Sequence, residues 1–183
     1  SAATTTNGVY RSNNGGSTWS KLANAPSGIS GGYTTYADLD LHPTEKGSLY
    51  LSISNAGKSA AGLYKGTNYG DSWQKINQST EPKGFIDLAI KPNEPNIMLA
   101  TSVDGLYRSE DGGVNWLKVY DIRVAVGTLT SAVAFDPTKP DIVYAGATSA
   151  VAPATPTSLP FENWFLRSED AGKTWQELDL LGG

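Results

Sequence analysis

Ser109-Glu-Asp-Gly-Gly-Val-Asn-Trp116 decides the fold, because the chain carries the same phrase three more times. The other copies are Ser12-Asn-Asn-Gly-Gly-Ser-Thr-Trp19, Gly66-Thr-Asn-Tyr-Gly-Asp-Ser-Trp73 and Ser168-Glu-Asp-Ala-Gly-Lys-Thr-Trp175. Each reads Ser-x-Asp/Asn-x-Gly-x-x-Trp, with Gly66 replacing the serine in the second copy. The tryptophans stand 54, 43 and 59 residues apart. Self-similarity at such a period is the mark of a repeat architecture.

Outward from the phrase, each copy is flanked by short apolar runs. Before it come Gly8-Val-Tyr-Arg11, Gly62-Leu-Tyr-Lys65, Gly105-Leu-Tyr-Arg108 and Trp164-Phe-Leu-Arg167, and after it runs such as Gln74-Lys-Ile76 and Leu117-Lys-Val119. Two further runs lie upstream in three of the copies, for example Ile86-Asp-Leu-Ala-Ile90 and Ile97-Met-Leu-Ala-Thr101. They are β-branched or aromatic and bounded by Pro, Gly and Asn, which is the pattern of strands. Pro43, Pro92 and Pro137 cannot donate to a ladder and mark the turns between those two runs. Each repeat therefore reads as a four-stranded antiparallel meander, A to D. Such sheets repeated around an axis make an all-β propeller. The expected division is a tail or linker over 1–7, a partial blade over 8–22, and blades over about 33–77, 84–120 and 130–179. That is about three and a half blades, an incomplete ring. Further blades from the same polypeptide, or other copies of the chain, are the expected partners, because an unclosed array leaves apolar faces in water.

The phrase joins strands C and D and has a structural reading. Asn14, Asn68, Asp111 and Asp170 are placed to close Asx-type turns by bonding backbone N–H groups two residues on. Gly16, Gly70, Gly113 and Gly172 are placed where positive φ is needed. Trp19, Trp73, Trp116 and Trp175 begin strand D and cover the hairpin. Four acids or amides on separate turns do not converge on one substrate, so these residues are assigned to the scaffold.

Composition narrows the function. The chain has 183 residues, 14 basic against 18 acidic, and a net charge of −4, which offers no basic stripe for nucleic acid. No apolar run is long enough to span a membrane. Cysteine is absent, so disulfides and thiolate chemistry are excluded. The only methionine is Met98, so the numbering does not start at an initiator, and a removed leader or a longer parent chain is expected. A Ser/Thr-rich start suits a secreted or cell-surface protein or a linker.

These phrases resemble the Asp-box, or BNR, repeat of sialidases, two-propeller xyloglucanases, sortilin-type receptors and a photosystem II assembly factor. The resemblance runs from about Gly8 to Leu178. It implies a propeller whose Asp boxes lie at blade edges, away from any active site. A sialidase-like site would need three separated arginines and a Tyr–Glu pair. Of Arg11, Arg108, Arg123 and Arg167, three share one repeat position before the box, so no catalytic residue is carried over.

Candidate site residues come from the repeat frame. Asp38 and Asp87 fall at equivalent positions of neighbouring inner strands, where the third full repeat has Ala132. Paired carboxylates near the axis are the arrangement that cleaves a glycosidic bond, and the competing reading is that each bonds backbone or a neighbouring blade's polar group. Asp40 ranks lower because its counterpart is Ala89. The loops over 23–36, 55–61, 77–84, 120–130 and 149–163 form the expected binding face. On it Trp164, Tyr33, Tyr36 and Tyr120 are candidates for stacking on a sugar ring or for pinning loops. His42, the only histidine, reads as a turn residue, and no cofactor or metal is expected. Beside an assembly or sorting receptor, which the resemblance to the sortilin-type and photosystem examples implies, two functions follow. One is a non-catalytic module that binds carbohydrate or protein or self-assembles. The other is a fragment of a glycoside hydrolase whose catalytic set lies mostly elsewhere.

Overall fold

The computed structural model describes residues 8–26, 36–54, 61–78, 82, 84–102, 104–121, 130–150 and 161–179. They form one two-stranded and three four-stranded antiparallel sheets. The first sheet is β1 (Tyr10–Arg11) with β2 (Ser20–Lys21). The second runs β3 (Tyr36–Leu41), β4 (Leu49–Ser54), β5 (Gly62–Thr67) and β6 (Ser72–Lys75). The third runs β7 (Asp87–Ile90), β8 (Met98–Ser102), β9 (Gly105–Ser109) and β10 (Leu117–Asp121). The fourth runs β11 (Thr130–Phe135), β12 (Val143–Ala150), β13 (Phe161–Ser168) and β14 (Gln176–Glu177). Each strand pairs with the next in sequence, which is the meander of a propeller blade. Among the described residues no helix is long and apolar enough to cross a membrane.

Alternation along the strands gives each sheet two faces, and the core lies between sheets. Val9 and Leu22, which flank the strands of the first sheet, pack with Leu51 and Ile53 of the second. Tyr50 and Leu63 of the second pack with Leu88, Met98 and Tyr107 of the third. Ala89, Leu99 and Leu106 of the third pack with Val133, Val143 and Leu166 of the fourth.

The connecting turns share one build, with a difference from expectation. In three copies the serine Oγ accepts two backbone N–H groups: Ser12 from Asn14 and Gly16, Ser109 from Asp111 and Gly113, Ser168 from Asp170 and Gly172. The Asx oxygen reaches four residues on, not two: Oδ1 of Asn14, Asp111 and Asp170 accepts from the N–H of Thr18, Asn115 and Thr174 at 2.9 Å. The nearer N–H is already taken by the serine. These bonds hold the Asp111 and Asp170 carboxyls below their ordinary range against the opposing effect of burial, Asp170 at about 2.

The turn glycines hold φ between 81° and 91°, and the residue before each is also left-handed, including non-glycine Tyr69 and Ala171. The following indole Nε1–H donates to the glycine carbonyl in all four copies, at 2.7–3.1 Å. The second copy keeps the left-handed backbone and the indole bond as a short 3₁₀ turn, Asn68–Gly70, without a side-chain cap from Thr67. A Cβ at Gly66 would lie 3.0 Å from the Trp73 ring and 3.1 Å from Leu49 Cδ2, which explains the missing serine.

The glycines also lie against the preceding sheet. A Cβ at Gly70 would meet Leu22 at 2.6 Å, at Gly113 Leu63 at 2.4 Å, and at Gly172 Leu99 at 2.6 Å.

Candidate functional site

Of the innermost strands β3, β7 and β11, the first two carry the acids. In β3, Asp38 and Asp40 are two residues apart and so share the face turned to the third sheet. Asp38 Oδ2 accepts the Leu88 N–H at 3.0 Å. Asp87 Oδ2 accepts the Val133 N–H at 2.7 Å, and its own N–H donates to Thr101 Oγ1 at 3.1 Å. One carboxylate thus ties each inner strand to the inner strand of the next sheet, and Ala132 ends the series.

Asp40 has a buried Oδ2 without a hydrogen-bond partner. Burial, then the neighbouring Asp38 and Asp87, pushes its carboxyl up to about 7. Burial also raises Asp87, to about 6, with Asp38 adding to the rise and the Val133 N–H opposing it. The structure therefore gathers Asp38, Asp40 and Asp87 into one half-buried acidic group in which the Asp40 and Asp87 carboxyls are raised towards neutral pH. Asp40, ranked low because its counterpart is Ala89, is the most perturbed of the three. Period-two alternation already put it on the face of Asp38, and that signal outweighs the absence of an acid in the next repeat. Chemically the group can take up and release a proton. Among the described residues no set of three or more His, Cys, Asp or Glu is arranged to hold a metal ion.

The other candidates lie apart from these acids. Tyr120 O–H donates to Glu177, tying β10 to β14, and burial together with that bond pushes the phenol up to about 12. Trp164 packs half-buried against the core between the third and fourth sheets. Tyr36 pairs through its backbone with Ser54, its side chain lying outside the described residues, as does Tyr33. Most of the expected binding-face loops, at 27–35, 55–60, 79–81, 122–129 and 151–160, also lie outside them. His42 Nδ1 accepts the N–H groups of Thr44 and Glu45, as Asp136 Oδ1 accepts those of Thr138 and Lys139 in the equivalent turn. Burial and Lys65 lower the His42 pKa against the pull of Glu45, which keeps the ring neutral.

A groove of about 850 Å³ runs along the opposite face of β3, lined by Val9, Trp19, Leu22, Leu39 and Leu41. It is apolar and does not include the acids. Leu39 and Leu41 are 43% and 73% exposed there, whereas Leu88, the counterpart of Leu39 one sheet on, is 4% exposed under its neighbour. The groove is thus the side of the second sheet that a complete first sheet would cover.

No protein-family model matches the chain. Over 118 residues it is 31% identical to a xyloglucanase of Paenibacillus sp, a match that takes in 62% of this chain and 11% of that enzyme's length. The GH74 xyloglucanase of Xanthomonas campestris superposes with a TM-score of 0.65 at 20% identity, over 94% of this chain and 27% of that one. YCF48 bound to a D1 peptide superposes with a TM-score of 0.50 at 16% identity, over 78% and 40%. The fold is therefore an incomplete β-propeller related to those of the GH74 xyloglucanases and YCF48, in which this chain supplies three four-stranded blades and part of another.

Proposed function

We propose that the chain is part of a glycoside-hydrolase-like propeller that engages a β-glucan of the xyloglucan type, with the bond-breaking residues lying mostly outside these 183. The observation that carries this is the 31% identity to a xyloglucanase, joined to a span of only 11% of that enzyme. More blades in the same polypeptide would complete the ring. A secreted or cell-surface location fits a polymeric substrate.

Asp40 and Asp87, with carboxyls at about 7 and 6, are the residues of this segment suited to hold a proton beside such a substrate. The test is release of reducing sugar from xyloglucan. The expected result is hydrolysis by the longer polypeptide and none by this chain alone. Xyloglucan retention without hydrolysis by the longer polypeptide would overturn the hydrolase reading in favour of a non-catalytic carbohydrate-binding module. That second reading is favoured by the engagement of Asp38 and Asp87 in backbone bonds between sheets.

A further inference from the structure

We propose that the far face of the fourth sheet docks one further blade of the same polypeptide. Arg167 would donate to the backbone carbonyl just before the incoming turn glycine, and that glycine would seat against Tyr144 and Phe165. The inference rests on reading the chain as part of a longer propeller.

The contact already occurs twice inside the chain. Arg11 Nη1 donates to the Tyr69 carbonyl at 2.8 Å, and Arg108 Nε to the Ala171 carbonyl at 2.9 Å. Both acceptors precede the turn glycine of the next sheet and hold φ of 59° and 56°. The left-handed backbone at these two residues is common to both acceptor carbonyls. Arg167 stands at the same repeat position, pairing across the ladder with Tyr144 as Arg108 pairs with Leu99. Among the described residues its guanidinium meets Glu169 and Tyr144, both of its own blade.

The apolar seat is present as well. Leu99 and Leu106 are 1% and 2% exposed beneath the fourth sheet. Their counterparts are Tyr144 and Phe165, which stack on each other with centroids 6.2 Å apart, while Tyr144 remains 38% exposed. Repeat arrays cover each face with the next unit, so an uncovered copy of an internal interface specifies its partner. One element is missing: Ala132 replaces the acid that ties inner strands together. The incoming blade is therefore held at its turn and left unstitched at its innermost strand.

The test measures Arg167→Ala by urea unfolding in this chain and in the native polypeptide continued through its next blade. The midpoint should fall by about 0.5–1 M in the longer polypeptide, where a charge-assisted bond is lost. It should fall by less than about 0.2 M here, where only an exposed pair is lost. Arg167→Lys should not restore it, because Lys65 at the same position turns back to Glu45 of its own blade. Equal shifts in both chains, or none in either, would overturn this mode of docking and leave the longer-propeller reading intact. A polypeptide without a further blade past Gly183 would overturn that reading and the docking with it.

Discussion

Alanine at Gly113 and at Gly16 should separate the cost of backbone handedness from the cost of contact between blades. Both glycines hold φ of 89°. An L-residue in that region costs about 1–2 kcal/mol. At Gly16 nothing but the Trp19 ring, at 3.9 Å, would meet the new methyl group. At Gly113 the methyl would lie 2.4 Å from Leu63 Cδ2, 3.3 Å from Met98 Sδ and 3.4 Å from Ile76 Cδ1. Leu63 and Met98 are fully buried, so neither can swing into solvent, and overpacking adds about 1–3 kcal/mol. Gly16→Ala should therefore destabilise by about 1–2 kcal/mol and Gly113→Ala by about 2–5 kcal/mol. Urea unfolding followed by tryptophan fluorescence and far-ultraviolet circular dichroism together would measure both and reveal any blade-by-blade melting. Equal losses would refute the claim that the turn glycine is a contact between blades.

Three more outcomes follow from the same geometry. Asp38→Ala should cost about 1–3 kcal/mol by leaving the buried Leu88 N–H unpaired, while Asp38→Asn, which can still accept that bond, should cost less; chemical denaturation ranks the two. The Asp40 carboxyl, at about 7 when folded, lies above its unfolded value of 3.8, so its contribution to stability is full below about pH 4 and is lost as pH rises towards 7; Asp40→Asn should remove that part of the fall, worth about 1–2 kcal/mol after solvent screening, and leave the part due to Asp87, in melting temperatures taken from pH 4 to 8. Ser109→Ala should cost about 1–2 kcal/mol through two orphaned N–H groups, whereas Gly66→Ser should give no gain because the Trp73 ring occupies the space, both read from unfolding midpoints.

The blades were legible because their cause is local. Four copies of a turn, each followed by tryptophan and flanked by period-two runs, specify strand, turn and order without knowledge of distant contacts. The reach of Asn14, Asp111 and Asp170 to the fourth residue was not legible, because it depends on the serine hydroxyl having taken the nearer N–H groups. The perturbation of Asp40 was hidden for a different reason. It arises from burial, from Asp38 on the same face and from Asp87, 47 positions away, and of these its own repeat records only Asp38. Asp38 and Asp87 were recognisable as a pair with backbone bonding among their readings, but which backbone each reaches depends on which face of β3 and β7 meets the next sheet.

The second turn lacks both the serine and its bonds, yet it bends the same way and ends in the same indole clasp. What a blade of this kind cannot dispense with is therefore glycine and tryptophan three positions apart, preceded by one residue willing to turn left-handed. The Asp111 and Asp170 carboxylates are accessories to that pair.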